Sequence, residues 1–236
     1  MIPTGTAASL QGIPKSFPLD FRLEPGRVVR WIARKCGYDP CAMPQPFRDA
    51  IRTGLKETAF ADIRGGYRVS GDIRIHPEDE TVFIDEVPFR VGRQLVNRWK
   101  QAEGLALVLC TAGEESGRRA ERHLARGDVL AWYVSGLTGT LLASAAMDEL
   151  LGRLATDAAF GGCHVAGCGF PGNGGWALAD QPRLFRLFPE DFCGVGITGV
   201  GMLSPVTSLC GVAGLVRLRG ARQTSHSHDE KLTWSR

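Results

Sequence analysis

The residues best placed to do chemistry in this sequence are backbone groups rather than side chains. Pro171-Gly-Asn-Gly-Gly-Trp176 sets three glycines in a six-residue turn. Without a Cβ, their N–H and C=O groups can approach a ligand closely or take positive φ, although packing glycines and tight turns leave the same pattern. A glycine-rich apolar run then leads to Pro205-Val-Thr-Ser208 and Gly211.

Side-chain candidates are fewer. Cys163, Cys168, Cys193 and Cys210 fall in the second half of the chain. Four thiolates are the ligand set of an iron–sulfur cluster, but this spacing matches no compact cluster motif. Cys36 and Cys41 lack the two further ligands that zinc would need. His76 stands beside Pro77 in an acidic turn and reads as a solvated residue. Glu114, Glu115 and Glu121 alternate with Arg118, Arg119 and Arg122, which suits a solvated helix face more than paired catalytic carboxylates. His226 and His228 beside Asp229 could pick up metal, in a polar tail expected to fray. No Gly-x-Gly-x-x-Gly after a strand, P-loop, His-Glu-x-x-His or Gly-x-Ser-x-Gly occurs, so nucleotide-dependent and hydrolase chemistry lack their signals. The expectation is no catalytic residue and no metal centre in this chain.

Pro171-Gly172, Gly175-Trp176, Asp180-Gln181, Leu184-Phe185, Ile197-Thr198, Met202-Leu203, Pro205, Ser208 and Gly211 follow one another. This order resembles the activation domain of cobalamin-dependent methionine synthase, and more closely its free-standing homologues. Arg30-Trp31-Ile32-Ala33 and the strand before Thr111-Ala-Gly113 with its Glu-rich helix extend the resemblance over residues 25–218. In that family an Arg-x-x-x-Gly-Tyr motif binds S-adenosylmethionine. Here its arginine falls on Cys168, its tyrosine on Asn173, and the glutamate after the threonine on Gly199. A planar guanidinium holds a carboxylate bidentately, which a thiol cannot imitate.

The resemblance implies an α+β fold with a twisted, mainly antiparallel sheet flanked by helices. It implies S-adenosylmethionine along Phe170, Pro171, Gly172 and Asn173, with Gly175 and Trp176 shaping the wall and Thr198, Met202, Pro205 and Ser208 on the facing segment. Trp176 would pack against the ligand or in the core. The implied function is reductive reactivation, or remethylation, of a corrinoid enzyme. The cobalamin is supplied by a partner, a cobalamin-binding methionine synthase or another corrinoid protein, with flavodoxin or ferredoxin as electron donor. The alternative is a non-catalytic binding or scaffold module that keeps the fold and the corrinoid-protein surface but has lost S-adenosylmethionine, which the missing arginine and tyrosine favour.

Composition sets the bounds on these readings. With 236 residues, 44% hydrophobic and 22% charged, the chain can bury a sizeable core. A net charge of +3, with arginines dispersed and no interleaved aromatics, argues against a nucleic-acid partner. Seven cysteines without an evident signal peptide suit reduced thiols in the cytoplasm. Val129–Met147 carries no charge over nearly the length of a bilayer span. It also holds serines, threonines and glycines between Asp128 and Asp148, and the resemblance, which places the family's long central helices there, implies a buried core helix, so no membrane partner is expected.

The elements that position these residues are readable from periodicity. Residues 1–24 form an irregular arm in which Phe17, Leu19 and Phe21 alternate as an edge strand would. Val28, Val29, Ile32 and Ala33 share a helix face that Gly37 ends, and 47–60 is a second helix with Ile51, Leu55 and Ala59 inward. Between Tyr67 and Val91 the period drops to two, predicting two or three antiparallel strands. A helix over 92–102 precedes the apolar strand Leu105–Cys110. Gly127 and Asp128 end one helix and cap the next, which is expected to run to Leu154, with Ser135, Gly136, Gly139 and Ser144 allowing close approach. Cys163–Cys168 and Leu209–Leu218 read as strands around the turn, and 219–236 as a polar tail.

Overall fold

The structure, a computed structural model, describes residues 14–58 and 61–218. Most of the N-terminal arm, the histidines of the tail and Ala59 lie outside the described residues. In chain order the elements are β1 (Lys15–Pro18), α1 (Pro25–Lys35), α2 (Gln45–Glu57), β2 (Arg64–Ser70), β3 (Ile73–His76), β4 (Thr81–Ile84), β5 (Val87–Arg90), α3 (Arg93–Trp99), β6 (Ala102–Thr111), α4 (Glu115–Ala125), α5 (Val129–Phe160), β7 (Cys163–Gly169), α6 (Gln181–Phe185), β8 (Gly196–Ile197), β9 (Leu203–Ser204) and β10 (Ser208–Arg217).

The main sheet is antiparallel, in the order β1-β2-β6-β10-β7. β6 sits at its centre and is covered on both faces, so its apolar run shows no polar alternation. Ala106, Val108 and Cys110 face α5 with Leu142, Met147, Leu150 and Leu154. Leu105, Leu107 and Leu109 face the opposite layer, where Trp99, Trp176, Leu184, Phe188 and Phe192 gather with the three-stranded meander β3-β4-β5. The alternating stretch Tyr67–Val91 therefore forms four strands, the first in the main sheet and three in a separate one.

Local signals set the helix ends. The Glu24 carboxylate accepts from the Gly26 and Arg27 N–H groups at 2.8 and 2.6 Å, Pro25 opens α1, and Gly37 follows its end at φ 75°. The Asp128 carboxylate accepts from the Ala131 N–H at 3.0 Å to start α5. No glycine pair or proline interrupts α5 before Gly161-Gly162, so it continues past Leu154 to Phe160.

At 32 residues, α5 is about 48 Å long, whereas the ten-residue β10 spans about 33 Å. The excess lies at its N-terminal end. There Val134 packs with Val28 and Ile32 of α1 and Ile51 of α2 in a core of their own. The run expected as a buried core helix is accordingly buried only in part, with Val129, Trp132 and Tyr133 exposed and burial beginning at Val134. α5 is long and apolar enough to cross a membrane by length and composition, yet residues 142–158 press a regular stripe of buried side chains onto the sheet.

Candidate functional site

Three segments meet at one end of the main sheet. β7 delivers the first. In its turn the Gly172 N–H donates to the Trp176 carbonyl at 2.8 Å, the Asn173 N–H to Phe170 at 3.1 Å and the Trp176 N–H to Asn173 at 3.0 Å. Gly172, Gly174 and Gly175 adopt φ of 89°, 61° and 92°, a region that L side chains enter at a cost. The N–H groups of Gly174 and Gly175 meet no protein acceptor among the described residues.

The second segment is the β8–β9 hairpin. The Thr198 N–H donates to the Met202 carbonyl at 2.8 Å, and the Thr198 hydroxyl accepts from the Met202 N–H at 3.1 Å. α6 links this hairpin to the turn. The Gln181 side-chain amide donates to the Gly201 carbonyl at 2.9 Å, Pro182 lies against Gly201, and Leu178 lies against Gly172.

The third segment leads into β10 through the cis peptide Ser204–Pro205. The Ser208 hydroxyl donates to Thr111 Oγ1 at 2.9 Å, and the Thr207 hydroxyl to the Gly113 carbonyl at 2.8 Å. Ser208 lies opposite Thr111 and Val212 opposite Gly169, so antiparallel pairing carries the start of β10 alongside the β7 turn. The Phe170 ring covers Gly211, where a Cβ would fall 2.6 Å from both a ring carbon and the Gly169 carbonyl oxygen.

Phe170, Pro171, Gly172, Asn173, Gly175 and Trp176 thus share one loop, Thr198 and Met202 one hairpin, and Pro205 and Ser208 one bend. They differ in accessibility. Asn173, Thr198 and Met202 are exposed, whereas Ser208 is buried with its hydroxyl engaged. Trp176 is in the core, edge-on to Phe89 at 5.8 Å, with its indole N–H donating to Asp180 at 3.0 Å. Leu178, Val200, Met202 and Val206 add an exposed apolar border. Sequence reasoning passed over Thr111 and Thr207. The signal was available, since Thr111-Ala-Gly113 and Val206-Thr-Ser208 both put hydroxyls at the ends of adjacent strands.

The sulfur chemistry of the site is muted. Burial pushes the Cys210 thiol up to about 12, and it raises Cys110 and Cys168 well above the ordinary thiol range. Cys193 is raised for the same reason. A neutral, desolvated thiol at 168 supplies no charge to a ligand. Among the described residues the one group close enough to share a metal ion is His76, Glu78 and Asp79 in the β3–β4 turn, and its acidic members are exposed. The four cysteines of the second half form no such group.

The architecture defines a class: an antiparallel α+β domain with approachable glycine backbone at one end of its sheet. No protein-family model matches the sequence, and no curated protein matches it. Among solved structures the chain is similar to the MetH reactivation domain bound to AdoHcy, at 14% identity and a TM-score of 0.58, over 86% of this chain and 78% of that one. At that identity the likeness is one of fold, and the expected activation-domain architecture holds.

Proposed function

We propose that this chain is a reactivation-domain-like accessory protein that binds S-adenosylmethionine, or its demethylated product S-adenosylhomocysteine, at the end of the sheet. The cobalamin belongs to a partner, a cobalamin-bearing methionine synthase or another corrinoid methyltransferase in the cytoplasm, with flavodoxin or ferredoxin as electron donor. The observation that carries the reading is the glycine turn Pro171–Trp176, set beside the 198–208 segment in a fold whose solved counterpart holds AdoHcy.

The residues present fit part of that ligand. Gly174 and Gly175 offer exposed N–H donors, Asn173 an exposed carboxamide, and Met202 and Leu178 apolar surface for a flat ring. The ligand's carboxylate finds no guanidinium at 168. The chemistry the partner's cofactor supplies when bound is acceptance of the methyl group. This chain's residues bind and orient the donor and exclude water around it.

The uncharged thiol at Cys168, in place of a guanidinium, favours a second reading, a scaffold that keeps the fold and the partner surface without the methyl donor. Titration calorimetry with S-adenosylmethionine and S-adenosylhomocysteine separates the two. Binding by the unmodified chain supports the first reading. Binding only by a Cys168→Arg, Asn173→Tyr variant supports the second, and heat from neither protein rejects the methyl-donor site altogether.

A further inference from the structure

Asp180 and Gln181 are neighbours in the chain, and each is bonded to a different wall of the candidate site. One wall is the glycine turn Pro171–Trp176 and the other is the β8–β9 hairpin. The Asp180 carboxylate accepts from the Trp176 indole at 3.0 Å through one oxygen and from Arg183 at 2.6 Å through the other. Trp176 is buried edge-on to Phe89, and the Arg183 guanidinium lies over the same Phe89 ring at 5.0 Å, so Asp180 is fixed to the core side of the turn. Leu178 lies 3.3 Å from where a side chain on Gly172 would begin. The Gln181 amide engages the second wall, donating to the Gly201 carbonyl at 2.9 Å, and the Pro182 ring lies 2.9 Å from the position of a Cβ on Gly201. Residues 178–182 therefore touch both walls.

The hairpin depends on that attachment. β8 and β9 are two residues each and form a two-stranded sheet of their own, a ribbon that is marginal by itself. Val195 and Leu203 anchor its base in the core, but Thr198, Gly199, Val200 and Met202 are exposed, Val200 at 84%. Within the tip, Thr198 bonds to Gly201 and Met202. Among the described residues, one hydrogen bond reaches residues 198–202 from outside, and it comes from Gln181. An exposed tip held this way opens at low free energy once the bond is gone.

We propose that Gln181 is a positioning residue: by tying the hairpin tip to the segment that Asp180 fixes on the turn, it holds the two walls at the separation a ligand must bridge. That an S-adenosyl ligand bridges them rests on the functional reading above; the tie itself does not. The Gln181 amide is engaged by Gly201, so the residue acts through the hairpin rather than by touching the ligand. A tip already in place need not be ordered on binding, and affinity is higher by that amount.

Titration calorimetry with S-adenosylhomocysteine, and hydrogen exchange of the full chain without ligand, test this together. Gln181→Ala is expected to weaken binding about three- to tenfold, the loss of one hydrogen bond. It is also expected to speed exchange severalfold at the Thr198, Gly201 and Met202 amides, which are bonded within the tip. Gly199 has nothing within 4 Å of an added Cβ. Adding Gly199→Ala to Gln181→Ala stiffens the loosened tip and is expected to recover about twofold or more of the lost affinity. A residue that touched the ligand, or that only supported the fold, would not be rescued there. Unchanged affinity in Gln181→Ala, or weaker binding with tip exchange unaltered, overturns the positioning role and leaves the functional reading in place. No heat from the unmodified chain overturns the functional reading, and unaltered tip exchange in Gln181→Ala overturns the tie separately. Should Gln181→Ala not fold, Gln181→Glu keeps the volume and, when ionised, has no proton to donate to the Gly201 carbonyl, so the same losses are expected of it.

Discussion

The Phe170 ring and Gly211 are in contact across two neighbouring strands, so the first residue of the turn is seated on the sheet by the absence of a side chain at 211. Gly211→Ala would drive a methyl group into the ring and the Gly169 carbonyl at once. Overpacking of this kind destabilises by about 1–3 kcal/mol, and a chain of this size loses roughly 2–4 °C per kcal/mol. Calorimetry is expected to show a melting point lower by several degrees, and an unchanged one would mean the turn is not anchored there.

Trp176 anchors the other end of the same turn. Trp176→Phe keeps the ring against Phe89 and loses the indole bond to Asp180, an expected change of about 1 kcal/mol. Trp176→Ala opens a cavity and should lower stability by about 3–5 kcal/mol. Urea unfolding of the two variants checks the ratio between them.

Cys168→Arg matters for reading any attempt to restore ligand binding. The side chain at 168 packs against the core that includes Cys110 and Ala213. A guanidinium there, left without a partner, is expected to lower stability by about 3 kcal/mol or more. Urea unfolding of the single variant gives the answer, and wild-type stability would show that the arginine reaches solvent.

The seven thiols should separate by reactivity. Cys41 is exposed and Cys36 half-buried, while Cys110, Cys163, Cys193 and Cys210 are buried and the Cys168 thiol is desolvated. At pH 8 an aromatic disulfide reagent is expected to titrate two thiols in the native protein and the other five only in denaturant. Fast reaction of Cys168 would contradict its placement.

Acid should loosen the N-terminal strand. Lys15 and then Tyr67 bond the Asp157 carboxylate and hold its pKa below the ordinary 3.8. The folded pKa is depressed, so the stabilisation is complete above that ordinary value and lost as pH falls through the folded one. Lys15 is raised from 10.5 by Asp157, so its share persists below 10.5 and is lost as pH rises through the folded value. Both side chains are more than a third exposed, which limits the pair to about 1 kcal/mol. Asp157→Asn is expected to flatten the acid limb of the stability–pH profile by that amount.

Much of the fold is legible wherever one short stretch of chain determines the outcome. Gly37 at the end of α1, Gly127 and Asp128, and the unbroken run Leu105–Cys110 each specify their element without reference to the rest. The division of Tyr67–Val91 between two sheets is not legible, because alternation reports which face a residue takes and not which strand it pairs with. The same limit applies at the site. The order of Pro171–Trp176, Thr198, Met202, Pro205 and Ser208 indicated one region, and the strand register of β7 and β10 gathers them. Whether Trp176 points inward depends on Phe89, some ninety residues away in the sequence, and no local pattern carries that.

One long helix belongs to both halves of the molecule. Residues 142–158 of α5 complete the core against the sheet, and residues around Val134 complete the smaller core with α1 and α2. With no break between them, neither core can rotate or melt while the other keeps its geometry, since the same hydrogen-bonded rod would have to fracture. Heating should therefore give a single cooperative transition, in which the sheet and the helical overhang are lost together.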